Sequence, residues 1–134
     1  MSNEVEVLLF GSSGAVTEDF RRTGKSGTQA GKMYRICGPH QLAWWLREHG
    51  FETQVVNFFA FLSDQEVLKL CNKFIGPRTR IVGWSIMSQT EHVMGQTKRF
   101  LEVLLPQLKE QYPWVTWITG GPGVHYSSTR YTNK

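Results

Sequence analysis

Arg80-Ile81-Val82-Gly83-Trp84-Ser85-Ile86-Met87 is the stretch on which the reading of this chain turns. An arginine opens it, a short apolar run follows, and Ser85 ends that run ahead of Ile86 and Met87. An apolar run of this length without polar alternation fits a strand covered on both faces, as strands of parallel sheets are. The same punctuation recurs downstream, where Trp114-Val115-Thr116-Trp117-Ile118-Thr119 leads into Gly120-Gly121-Pro122-Gly123. It recurs upstream, where Glu4-Val5-Glu6-Val7-Leu8-Leu9-Phe10 leads into a Gly/Ser-rich stretch that starts at Gly11. In an open α/β sheet, ligands sit at the carboxyl ends of strands, around the point where strand order reverses. Three such ends, small or polar and without an acid–base pair, suggest a cradle for a large cofactor. They do not suggest a self-sufficient catalytic centre.

Between the strands the period lengthens to that of a helix. Cys37 to His49 predicts a helix with Leu42, Trp45, Leu46 and His49 on one side and Gly50 as its stop. Thr53 to Phe58 reads as a strand. Ser63-Asp64-Gln65-Glu66 is a capping box, and the helix behind it is expected to bury Val67, Leu70, Cys71 and Phe74 before Gly76-Pro77 ends it. Ser88-Gln89-Thr90-Glu91 is a second capping box. It opens a long helix in which Val93, Thr97, Phe100, Leu101, Leu104, Leu105, Leu108 and Tyr112 keep helical spacing. Pro106 lies inside that pattern and predicts a kink, because it lacks the backbone donor. Strand and helix therefore alternate through one domain, 1–134, the pattern of a parallel sheet with right-handed crossovers. Residues 124–134 carry neither pattern, so the unit reads as truncated at its C-terminus.

The first connection is unusual. It holds 26 residues between Phe10 and Cys37, where ~2–6 would suffice. Its Gly/Ser-rich core, 11–33, carries Arg21, Arg22, Lys25 and Lys32 and is expected to order when a ligand or partner arrives. Gly24-Lys25-Ser26 within it fails as a phosphate-binding loop, because Asp19 stands where that motif needs glycine. Gly11-Ser12-Ser13-Gly14 is only a partial dinucleotide fingerprint.

Composition narrows the class. With 40% hydrophobic and 19% charged residues in 134, the chain has an ordinary globular composition. No apolar run approaches the ~18–20 residues of a membrane span, so no membrane partner is expected. Met1-Ser2-Asn3-Glu4 lacks the basic start of a secretory signal, and the expected compartment is cytoplasmic. Cys37 and Cys71 both fall on predicted helices, as buried reduced thiols would. Without Cys-x-x-Cys, neither an iron–sulfur cluster nor a zinc site is expected within the chain. The net charge of +4 gathers in the first loop and the tail, which places nucleic acid well behind a small molecule as partner. His40, His49, His92 and His125 are scattered, and none joins a metal-binding spacing; His49 suits a helix C-terminus. The five tryptophans are expected as core and sheet-face aromatics.

Arg35-Ile36-Cys37-Gly38-Pro39-His40-Gln41-Leu42-Ala43-Trp44-Trp45-Leu46-Arg47-Glu48-His49-Gly50-Phe51 resembles the start of the cobalamin-binding domain found N-terminal to many radical S-adenosylmethionine enzymes. Those domains often read as arginine, Gly-Pro, Leu-Ala, a second leucine, and a glycine before the second strand. Ser85-Ile86-Met87 is similar to their Ser-x-Leu/Thr element, and Gly120-Gly121 matches their Gly-Gly element. The resemblance runs from about Val5 to Pro122.

It implies a Rossmann-like fold of flavodoxin type, a doubly wound parallel sheet in three α/β/α layers. It further implies a cobalamin-holding module of an enzyme that transfers a methyl group, with a radical S-adenosylmethionine domain as partner in the parent protein. Two departures refine this. The family of mutases and methionine synthases carries Asp-x-His-x-x-Gly after the first strand; this chain does not, which implies a corrinoid held without histidine on cobalt. The Cys-x-x-x-Cys-x-x-Cys of the radical domain is also absent, so the chain would not cleave S-adenosylmethionine alone. On this reading the cofactor meets Ser12 and Ser13 after the first strand, and Ser85, Ile86 and Met87 after the third. Gly120, Gly121 and Pro122 follow the fourth, the glycines letting backbone approach a ring system closely. Arg35 would contact a phosphate or propionamide. The alternative is a module without cobalamin, using the same cleft for a nucleotide or flavin, or the basic loop for an acidic protein partner.

Overall fold

The computed structural model describes residues 3–11, 37–57, 62–85 and 98–120. Strand β1 spans Val7–Gly11, helix α1 Cys37–Glu48, β2 Thr53–Val56, α2 Asp64–Phe74 and β3 Ile81–Ser85. A π-helical turn, Phe100–Leu104, runs into α3, Leu105–Gln111, and β4 is Thr116–Gly120. The four strands form one sheet in the order β2-β1-β3-β4, every pair parallel. Among the described residues no helix is long and apolar enough to cross a membrane.

β1 is buried along its whole length because it has a strand on each side and helices on each face. Alternation divides its side chains. Val7 and Leu9 join Val55 of β2 and Ala43 of α1 in one cluster. Leu8 and Phe10 join Val82 and Trp84 of β3 in the other, under Val67 and Cys71 of α2 and Phe100, Leu104 and Leu108 of the third helical segment. One helix thus lies on one face and the remaining helical segments on the other. From β1 the chain moves to one side to make β2, then returns past β1 to make β3. Strand order reverses between β1 and β3.

α1 forms where expected but is rotated about its axis. Ala43 is fully buried, whereas Leu42, Trp44 and Trp45 are 44%, 64% and 52% exposed. The helix carries two candidate apolar stripes, Pro39/Ala43/Leu46 and Leu42/Trp45/His49. The first wins because alanine lets the helix close onto Val7, Leu9 and Val55, and two hydrogen bonds then hold it. The Arg47 guanidinium donates through Nε and Nη2 to the Thr53 carbonyl at 3.0 and 2.7 Å. The expectation that all five tryptophans are core or sheet-face residues is corrected for Trp44 and Trp45. It is also corrected for Trp114, which is 49% exposed in the turn before β4.

The stop at Gly50 is as read. Its φ of 87° is left-handed, and its N–H donates to Arg47 O while Phe51 N–H donates to Leu46 O, both at 3.0 Å. That is a Schellman ending. His49 sits just past the last turn, its Nδ1 2.8 Å from the Trp45 carbonyl. The capping box of α2 is present in both directions: Glu66 N–H to Ser63 Oγ at 3.2 Å, and Ser63 N–H to Glu66 Oε2 at 2.8 Å.

The third helical segment buries Phe100, Leu104, Leu108 and Tyr112, the predicted face. Pro106 acts differently from a simple kink. Its ring would collide with the carbonyl four residues earlier, that of Glu102. The helix widens before it instead, and Leu105 N–H reaches back five residues to Phe100 O. The second capping box, Ser88 to Glu91, with Val93 and Thr97, lies outside the described residues.

Candidate functional site at the carboxyl edge of the sheet

Parallel pairing sets the carboxyl ends of three strands in register. Gly11 of β1 pairs with Ser85 of β3, and Ser85 pairs with Gly120 of β4. The last residues of three neighbouring strands therefore form one row, a serine between two glycines, where strand order reverses. Gly11 is buried, Ser85 half-buried and Gly120 exposed. A Cβ placed on Gly120 meets nothing within 4 Å, so the backbone there is open to a ligand's approach.

One residue deeper, Phe10, Trp84 and Thr119 form the next row. Trp84 is 5% exposed and stands edge-on to Phe100, ring centroids 4.6 Å apart. Thr119 Oγ1 donates to the Trp84 carbonyl at 3.3 Å. The ledge of small residues thus rests on an aromatic floor. The indole Nε1 atoms of Trp84 and of Trp117 are buried without a hydrogen-bond partner among the described residues. Each such donor costs on the order of 1–3 kcal/mol.

Beside this row, His40 and Asn57 meet at 2.7 Å, joining the first turn of α1 to the end of β2. The sequence placed His40 only among four scattered histidines with no metal-binding spacing and did not single out Asn57. Their positions, at a helix start and just past a strand end, already place both at the carboxyl edge in a βαβ unit.

Of the predicted site residues, Ser85 and Gly120 are brought together. Ser12, Ser13, Arg35, Ile86, Met87, Gly121 and Pro122 lie outside the described residues. Among the described residues no three His, Cys, Asp or Glu side chains are grouped to hold a metal ion. The Cys71 thiol is buried under α2, and that burial pushes its pKa up to about 12. It therefore stays protonated at neutral pH and is no nucleophile there. What the edge offers is a hydroxyl, strand-end backbone groups and space above them: chemistry for binding and orienting.

No protein-family model, curated protein or solved structure matches the chain.

Proposed function

We propose that this chain is a doubly wound, Rossmann-like module of flavodoxin type that holds cobalamin across the carboxyl edge of β1, β3 and β4. It would serve as the cofactor-holding part of a radical S-adenosylmethionine enzyme that transfers a methyl group. The observation that carries this reading is the Gly11–Ser85–Gly120 row at the reversal of strand order. The order β2-β1-β3-β4 is also that of the first four strands of a flavodoxin-type sheet, whose ligand sits at this switch point.

The residues present fit a corrinoid in two respects. A broad ring needs a ledge without side chains, and Gly120 has open space where its Cβ would stand. The ring's periphery of amides and its phosphate need donors and acceptors, which Ser85 and the strand-end backbone can supply. Cobalamin, when bound, supplies a cobalt centre that takes up and passes on a methyl group. Ser85 would hydrogen-bond the periphery, exposed Gly120 would let the backbone approach the ring, and buried Phe10 and Trp84 would keep water from below.

The test is titration of the chain with hydroxocobalamin, aerobically and anaerobically, followed by gel filtration and an absorbance spectrum. Corrinoid should stay with the protein, with a spectrum lacking histidine ligation. Gly120→Trp and Gly121→Trp should each lose it. A folded chain that emerges colourless refutes the reading, as does wild-type retention by both variants.

A further inference from the structure

Two side chains of α1 are held in place by neighbours that lie outside the core. His40 Nε2 meets Asn57 Oδ1 at 2.7 Å. An amide oxygen only accepts, so Nε2 carries the proton and Nδ1 keeps its lone pair as a free acceptor. Just over one turn on, the Trp45 ring stands against the His49 ring, centroids 4.1 Å apart, and His49 Nδ1 lies 2.8 Å from the Trp45 carbonyl. The two anchored residues, His40 and Trp45, line one hollow of about 620 Å³ with Gln41 and Trp44. Helical spacing makes these four positions neighbours on one flank. The volume falls within the ~300–1,000 Å³ of small-molecule sites. No lysine, arginine or carboxylate lines it. Its walls are two indoles, 64% and 52% exposed, and its polar groups are an amide and an acceptor nitrogen of fixed tautomer.

We propose that this hollow binds adenine, as the base of a nucleoside. A flat base stacks on an indole face. The adenine edge presents N7 as an acceptor beside the N6 amino group, a donor of two hydrogens. The Gln41 amide answers N7 with its N–H and one N6 hydrogen with its oxygen, and His40 Nδ1 accepts the other. Hypoxanthine and guanine carry an oxygen where adenine carries N6, and that oxygen would face the Nδ1 lone pair. Asn57 and His49 are positioning residues: one sets the His40 tautomer, the other fixes the Trp45 ring before a ligand arrives. That preorganisation lowers the cost of ordering the site on binding. The hollow lies on α1 at its β2 side, whereas the Gly11–Ser85–Gly120 ledge runs from β1 to β4. The inference therefore stands apart from the cobalamin reading.

Isothermal titration calorimetry of the full chain with adenosine, and with inosine as the analogue that lacks the N6 amino group, tests it. Adenosine should bind with a Kd of ~10–500 μM, and inosine about tenfold or more weaker. Trp44→Ala with Trp45→Ala should weaken adenosine binding about ten- to a hundredfold through lost stacking. Gln41→Leu should weaken it about tenfold and narrow the gap between adenosine and inosine, which a purely structural role would leave unchanged. Trp114→Ala removes an exposed tryptophan outside the hollow and should bind as wild type; far-UV circular dichroism and urea midpoints check that each variant is folded. A folded wild-type chain that gives no binding heat with adenosine at ~5 mM overturns the proposal. So does equal affinity for the two nucleosides, or binding that neither the tryptophan pair nor Gln41→Leu disturbs.

Discussion

Replacing Gly83 with alanine probes the β3–β4 pairing that aligns Ser85 with Gly120. Gly83 lies two residues before Ser85, opposite Ile118, which lies two before Gly120. A Cβ at this position would come within 2.8 Å of Ile118 Cγ1, 3.3 Å of its Cδ1 and 3.4 Å of Leu9 Cδ2. Leu9 is at ordinary contact and need not move. Ile118 must give by several tenths of an ångström. It is 44% exposed, so it can rotate outward, at the ~0.5–1.5 kcal/mol of an off-rotamer side chain plus the contact it loses. Alanine in a strand interior recovers ~0.5–1 kcal/mol of backbone entropy relative to glycine. Gly83→Ala should therefore destabilise by about 0.5–1 kcal/mol. With Ile118→Ala in place the clash is gone and only the backbone gain remains, so the same substitution should stabilise by about 0.5 kcal/mol. The coupling energy is then about 1–1.5 kcal/mol, well outside the additivity of independent sites. Urea denaturation of the four proteins at constant m measures it. Additivity within about 0.3 kcal/mol would show that Ile118 does not lie over Gly83 and would remove the packing basis for the aligned row.

Three further outcomes follow from the buried groups. Thr79 is 1% exposed, and its Oγ1 donates to Val5 O at 2.6 Å while accepting Gly76 N–H at 3.0 Å. Thr79→Val leaves both groups without that partner and should cost about 2–3 kcal/mol by urea unfolding, and a loss under ~0.5 would contradict the bonding. Burial raises the Cys71 thiol from about 9 to about 12; burial, then the charge of Cys71, raises Tyr112 as well. A raised folded-state pKa contributes stability that is complete below the unfolded value and lost as pH climbs through the folded one. Stability should thus fall between about pH 9 and 12, by up to ~1.4 kcal/mol per pH unit for Cys71 alone, and Cys71→Ala should flatten that fall in thermal melts. An equal slope in the variant would show that the thiol is not the group responsible. Phe100→Leu deletes the edge contact with Trp84 and should cost about 1–2 kcal/mol and change the near-ultraviolet dichroism of the indole, and an unchanged spectrum would refute the contact.

β1 was legible because burial on both faces leaves an unbroken apolar run, Val7 to Phe10. α2 was legible down to its cap, because Ser63 and Glu66 solve a local problem that needs no tertiary partner. The facing of α1 was not. Two stripes compete there, and the choice rests on how closely Ala43 lets the helix approach β1 and β2, a distance set by non-local residues. The same limit hid the candidate site's geometry. Each strand end could be read as small and polar, and Ser85 and Gly120 were both named, but the register joining Gly11, Ser85 and Gly120 arises from pairings many residues apart. His40 and Asn57 met through the same crossover. The π turn was half legible: Pro106 announced a disturbance, while the chain's means of absorbing it depended on keeping Phe100, Leu104 and Leu108 on one face.

The two edges of the sheet divide the work of the molecule. At the amino edge, Thr79 ties the α2–β3 connection to the start of β1, Glu4 accepts from Arg78 N–H, and Glu6 Oε2 accepts from Glu52 N–H at 3.0 Å. The Arg78–Glu52 ion pair beside them is 2.5 Å long but well over half exposed on both sides, so it adds at most ~1 kcal/mol. Buried Thr79 is the stronger fastening, because its loss would strand backbone groups away from water. These bonds fix where three strands begin and hence which residues end in the same row, since parallel strands advance by about 3.3 Å per residue. A shift by one residue at the amino edge would turn every side chain of that strand to the opposite face and move Gly11 or Ser85 out of the row. The residues that define the ledge therefore include Thr79 and Glu4, at the far end of the sheet from any ligand they help to place.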